Sequence, residues 1–161
     1  MRITIAAVGT RMPAWAERAV EDYLARFPRD FEVALKQVRP EPRREQPVAH
    51  CLRAEQLRLR AAAPPGDRLV ALDERGVDWT TGQLAQHIGR WRDASEHVSF
   101  LIGGADGLSE QLKSQAQLRL RLSSLTLPHA LARVVLVEQL YRAWSILTNH
   151  PYHRAEVTSR S

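Results

Sequence analysis

Cysteine is almost missing from this chain of 161 residues: Cys51 stands alone. That excludes an internal disulfide framework and a thiolate metal cluster, and it fits a reducing compartment, with the cytoplasm as the expected location. Lysine is nearly absent too. Only Lys36 and Lys113 occur, so the remaining basic residues are all arginine. No apolar run approaches the roughly 20 residues needed to cross a bilayer. The N-terminal segment MRITIAAVGT is too short, and too soon interrupted by Pro13, to read as a signal peptide. Phosphate-binding signatures are lacking: there is no G-x-x-x-x-G-K-[ST], and Gly103-Gly104 with Gly107 does not have the G-x-G-x-x-G spacing. The histidines His50, His87, His97, His129, His150 and His153 form no H-E-x-x-H, and no G-x-S-x-G elbow is present. Neither a metal site nor a serine hydrolase is therefore expected.

What is present begins with charge. The net charge of +5 points to an anionic partner, nucleic acid first. Codon bias toward arginine would produce the same balance, although arginine does suit phosphate forks and base stacking. The length predicts one domain, large enough to bury a core without staples.

Along the chain, short apolar runs alternate with helical patterns. Arg2–Val8 reads as a strand ended by Gly9-Thr10. Pro13 opens a helix with apolar residues at Trp15, Ala19, Val20, Tyr23, Leu24 and Phe27, stopped by Pro28. Phe31–Val38 reads as a second strand, Pro40–Pro47 as a charged, proline-punctuated loop, and Val48–Ala63 as a helix. Arg68–Leu72 is a third strand, with a turn expected at Asp73–Gly76. Thr80 and Gln83 have capping-box spacing for a helix to about Arg92. Val98–Ile102 and Leu118–Leu122 read as strands four and five, with a short helix capped by Ser109 between them. Pro128 opens a last helix that runs to about Thr148.

This alternation predicts a single α/β domain, a mostly parallel sheet with helices on both faces. Ligands of open α/β sheets bind at the carboxyl ends of strands. The loops to inspect are thus Leu72-Asp73, Gly103–Gly107 and Ser123–Leu127. Their glycines serve a tight turn or let a ligand approach the backbone closely. Leu72, Ile102, Leu122, Leu125 and Leu127 can line an apolar slot for a ligand without a phosphate. The last helix is apolar over more than one face, from Leu131 and Val134 to Leu140, Tyr141, Trp144 and Leu147. Cover from a second chain explains that pattern, as does burial between elements of one monomer.

Taken together, Val8-Gly9-Thr10, Pro13 with Trp15, Arg26-Phe27-Pro28, Leu72-Asp73 and Leu101-Ile102-Gly103-Gly104 form an ordered set. It continues through Gly107, Leu125-Thr126-Leu127-Pro128-His129, Leu131, Arg133-Val134, Leu140-Tyr141-Arg142-Ala143-Trp144-Ser145-Ile146 and Asn149-His150-Pro151-Tyr152-His153-Arg154. This set resembles the bacterial large-subunit ribosomal RNA methyltransferase H family, in the SPOUT class of trefoil-knotted methyltransferases. The resemblance covers nearly the whole chain. It implies a C-terminal knot, a homodimer, and S-adenosylmethionine-dependent methylation of N3 of a pseudouridine in helix 69 of 23S ribosomal RNA. It implies a cofactor site at Leu72, Gly103, Leu122, Ser123, Ser124, Leu125, Thr126 and Leu127.

Two departures stand out. Residues 155–161 continue past the point where the family usually ends, as a flexible extension of the single domain 1–161. Leu127 stands where many relatives have an aromatic residue.

The acceptor N3 carries a proton that must leave. His129, His153 or a water is the expected base, and Arg154 can stabilise negative charge on the ring oxygens. His129 also reads simply as a helix N-terminal residue. Tyr152, His153 and Arg154 offer a ring, an imidazole and a cation for a looped-out base, and assembled ribosomes are the expected form of the RNA. Two other readings fit the same residues: a related knotted enzyme acting on transfer RNA or another ribosomal site, and a non-catalytic RNA-binding dimer.

Overall fold

A computed structural model describes residues 1–154; the extension 155–161 lies outside the described residues. Five strands form one parallel sheet: β1 (Arg2–Val8), β2 (Glu32–Val38), β3 (Arg68–Asp78), β4 (Val98–Ile102) and β5 (Leu118–Arg121). Their order across the sheet is β2-β1-β4-β3-β5, and each neighbouring pair is parallel. The helices are α1 (Ala14–Leu24), α2 (Val48–Ala62), α3 (Thr81–Asp93), α4 (Glu110–Gln115) and α5 (His129–Leu147).

Strict alternation sorts the strand side chains between two cores. Ile3, Ile5 and Ala7 of β1 and Val98, Phe100 and Ile102 of β4 meet α1, α3 and α5. Ala6, Val8, Leu69, Ala71 and Leu101 face the other way, against Leu59 of α2 and Leu112 of α4. Burial on both faces is why these strands read as unbroken apolar runs.

Local signals hold at several helix ends. Thr80 accepts from Gln83 N at 3.1 Å while Thr80 N donates to Gln83 Oε1 at 2.8 Å, completing the capping box. Ser109 caps α4 by accepting from Leu112 N at 3.1 Å. The first helix ends at Leu24, earlier than its pattern predicts, because Arg26 N turns to Tyr23 O ahead of Pro28.

A larger difference lies in β3. The expected turn at Asp73–Gly76 is a bulge inside a longer strand: both Leu72 and Val77 stand opposite Leu120, and the residues between them are extra. Gly76 makes this feasible. A Cβ there would lie 2.7 Å from the backbone of Arg119 and Leu120, so only glycine lets β5 pass so close. An Asp78–Arg121 ion pair closes the end of the ladder.

Helix α5 packs against both α1 and α3 of its own chain, which accounts for much of its apolar circumference without a partner. Leu136, Val137 and Leu140 are fully buried there. Leu140→Ala is expected to cost roughly 2–5 kcal/mol in urea denaturation. Thr80→Ala, which removes only the cap, is expected to cost about 1 kcal/mol.

Candidate functional site

The bulge inside β3 and the connections that leave the carboxyl ends of β4 and β5 lie side by side, and a cavity of about 680 Å³ opens between them. That volume falls among small-ligand sites, which span roughly 300–1,000 Å³. Leu72, Gly103, Leu122, Ser123, Ser124, Leu125, Thr126 and Leu127 all line it, as do Ile102 and His129. Every residue expected to hold the cofactor therefore meets in one place.

The β4 connection supplies one wall. Gly104 and Gly107 form an isolated antiparallel bridge, and Gly107 N donates to Gly104 O at 3.1 Å. Gly107 has φ +72°, a left-handed value that glycine adopts readily. A Cβ on Gly103 would meet Gly107 C at 2.3 Å and its oxygen at 2.4 Å. The turn is folded on itself too tightly for any side chain.

The opposite wall is the segment from Leu122 to Leu127. Ser123 Oγ accepts from Leu125 N at 2.9 Å and rounds the chain there. Leu125 is 74% exposed, an apolar side chain at the mouth with no cover from its own fold. Pro128 then takes the N-cap position of α5, and Ala132 N bonds back to Pro128 O at 2.9 Å. This leaves His129 exposed on the first helical turn at the cavity edge.

Apolar side chains, glycine backbone and hydroxyls form the walls together with the charged Glu74, Arg75, Asp106, Lys113 and Arg121. Asp73 adds a buried carboxylate, with Lys113 Nζ at 3.8 Å and Arg119 Nη1 at 4.0 Å. Such a lining suits a ligand with a flat apolar ring and polar edges, and it offers no helix-opening glycine fingerprint for a pyrophosphate.

The remaining expected residues lie elsewhere. Asn149, at φ +56°, ends α5 in a left-handed turn, and the chain folds back along the helix. The Tyr152 ring packs edge-on against Tyr141 with centroids 4.7 Å apart. Its hydroxyl lies 3.0 Å from that of Tyr23 and donates to Glu138 Oε1 at 3.1 Å. Burial, followed by the bonds to Tyr23 and Glu138, pushes its ionisation well above the ordinary tyrosine range.

The ring expected to stack on a base is thus used inside its own chain. His153 Nδ1 lies 3.5 Å from Arg142 Nη1, and Arg154 Nη2 donates to Asn149 O at 3.0 Å. Arg142 is thirteen residues along α5 from His129, about 20 Å at 1.5 Å per residue. His153 and Arg154 are therefore remote from the cavity of their own chain.

Sequence reasoning placed Arg133 in the family pattern but gave it no role. It is 2% exposed, and its Nη2 donates to Val8 O and Gly9 O, both at 2.9 Å. The guanidinium pins the end of β1 to the first turns of α5, and burial lowers its basicity. A cation between Leu131 and Val134, in the apolar first half of α5, was the available signal.

A family model described as predicted SPOUT methyltransferase matches residues 1–153. A protein of Bordetella pertussis named ribosomal RNA large subunit methyltransferase H is 53% identical over 156 residues, covering 96% of this chain and 100% of that one. A protein of the same name from Burkholderia thailandensis gives the same identity and coverage. Among solved structures, a probable methylase family protein from Haemophilus influenzae aligns with a TM-score of 0.55 at 14% identity. That alignment covers 94% of this chain and 69% of the other, a likeness of fold. No helix among the described residues is long and apolar enough to cross a membrane.

Proposed function

The chain belongs to the SPOUT methyltransferase family, and from that premise we propose that it methylates large-subunit ribosomal RNA with S-adenosylmethionine as donor. The acceptor is N3 of a pseudouridine in helix 69 of 23S ribosomal RNA, and the working form is a homodimer. The observation that carries this reading is the meeting of Leu72, Gly103 and residues 122–127 around one cavity. The name shared by relatives 53% identical along their full length supports the ribosomal substrate.

Bound S-adenosylmethionine supplies a methyl group made electrophilic by its sulfonium. The residues of this chain have the remaining tasks. Leu72, Ile102 and Leu127 hold the adenine in an apolar slot, while the glycine turn offers backbone donors and acceptors at its edge. Alignment of donor and acceptor supplies much of the rate in such a displacement. Methylation at N3 would require the N3 proton to pass to a base. His129 stands at the cavity edge for that role.

His153 and Arg154 reach a cavity only if it belongs to a second copy, because α5 separates them from their own. The dimer thus brings one chain's tail to the other chain's cofactor. In this arrangement Tyr152 anchors the tail, while His153 and Arg154 meet the RNA. The trefoil knot belongs to the same proposal. Strand β5 lies beyond β3 at the sheet edge, and the 122–127 segment has to lead the chain back to α5 between α1 and α3.

The test is transfer of labelled methyl from S-adenosylmethionine to ribosomes from a strain lacking this enzyme, followed by mapping of the modified nucleotide. Label in helix 69 at the pseudouridine is expected. Label confined to transfer RNA or to another ribosomal site would overturn the substrate. Tight RNA binding with no label anywhere would mark a non-catalytic RNA-binding dimer.

A further inference from the structure

The charged loop between β2 and α2 has no part in the chemistry above, yet through Arg43 it reaches the glycine turn that walls the cavity. Glu55, on α2, is a buried carboxylate with its side chain 3% exposed. It accepts from Arg43 Nη1 at 2.7 Å, Arg43 Nη2 at 3.2 Å and Glu41 N at 3.0 Å. A buried carboxylate so placed requires a matching cation, and a planar two-pronged guanidinium supplies it. Arg43 Nη1 also donates to Glu41 O at 2.7 Å. The remaining nitrogen, Nε, donates to Asp106 Oδ2 at 2.9 Å. All three nitrogens of Arg43 are thereby committed, two to a buried anchor and one to the glycine turn that walls the cavity.

That turn needs an external hold. Ala105, Asp106 and Gly107 are exposed, and within itself the turn has the single Gly104–Gly107 bridge. Glu55 reaches the same place from below: a Cβ on Gly104 would lie 3.7 Å from Glu55 Oε1. We infer that Arg43 is a positioning residue for cofactor binding, a latch that holds the glycine turn in its binding-competent shape by bridging Glu55 to Asp106. Lysine cannot replace it, because one ammonium does not span the two carboxylates in the geometry of a fork. The inference rests on the cavity being the S-adenosylmethionine site.

Calorimetry with S-adenosylmethionine and hydrogen exchange of the 104–108 amides test it on the full chain. Asp106→Asn keeps the Arg43–Glu55 pair and changes an exposed group, so it is the variant least able to unfold the protein. Because Asp106 also lines the cavity, exchange in the cofactor-free turn is the readout that separates a latch from a direct ligand contact. Asp106→Asn is expected to weaken cofactor binding about tenfold and to speed exchange in the turn before any cofactor is added. Arg43→Lys is expected to do the same, and the two changes together should be no worse than either alone. Asp106→Glu, which restores the carboxylate, should recover most of the affinity. Wild-type affinity and exchange in folded Asp106→Asn would overturn the latch. If Gly103→Val also bound S-adenosylmethionine as tightly as the wild type, the cavity assignment itself would be at fault.

Discussion

Gly103→Val is expected to lose S-adenosylmethionine binding by at least about a hundredfold, roughly 2.7 kcal/mol, with the fold retained. A Cβ at this position lies 2.3 Å from Gly107 C, a distance no rotamer relieves because the neighbour is backbone. The turn must open by more than an ångström, and the wall against which the ligand would rest moves with it. Isothermal titration measures the loss, and circular dichroism confirms the fold. Gly82→Ala is the control: its Cβ would find Thr80 Oγ1 at 3.8 Å, an ordinary contact remote from the cavity. Undiminished binding in Gly103→Val would move the ligand site away from this cavity.

Removing the tail after Pro151 is expected to abolish methyl transfer to ribosomes while leaving cofactor affinity within about twofold. The first effect follows from the loss of His153 and Arg154. The second follows because neither residue lines the cavity. The 20 Å separation along α5 adds a sharper expectation. A chain with Gly103→Val has a tail but no working cavity, and a chain cut after Pro151 has a cavity but no tail. Each is inactive alone. Refolded together, they form mixed dimers in which one cavity receives an intact tail, and activity should return toward a quarter of the wild-type level. No recovery on mixing would show that the tail acts on its own chain or not at all. A cut after Arg154, removing only residues 155–161, should leave transfer and binding unchanged.

The sheet was legible because its strands are short apolar runs bounded by glycine, proline and capping residues, and each boundary signal is local. The bulge in β3 was not. Asp73-Glu74-Arg75-Gly76 has turn chemistry, and what makes it a strand insertion is the close passage of β5, a contact made across the sheet. The cavity was half legible. Its residues cluster at the ends of three predicted strands, as ligand sites in open sheets do, but their identity as a cofactor site came from resemblance. The tail misled in one respect. Tyr152 looks like a free ring in sequence, whereas the left-handed turn at Asn149 sends it back onto Tyr141, Tyr23 and Glu138. The role of Arg133 and the Arg43–Glu55–Asp106 bridge stayed hidden because each joins residues far apart in the chain.

Helix α5 begins at the cavity edge and ends where the tail turns back, so its length works as a ruler. Each residue added to a helix advances its far end by about 1.5 Å and rotates it by about 100°. One inserted residue would therefore swing His153 and Arg154 to another side of the helix while leaving the cavity intact. The residue count between Pro128 and Asn149 thus sets where, and facing which way, the tail leaves α5 relative to the cavity.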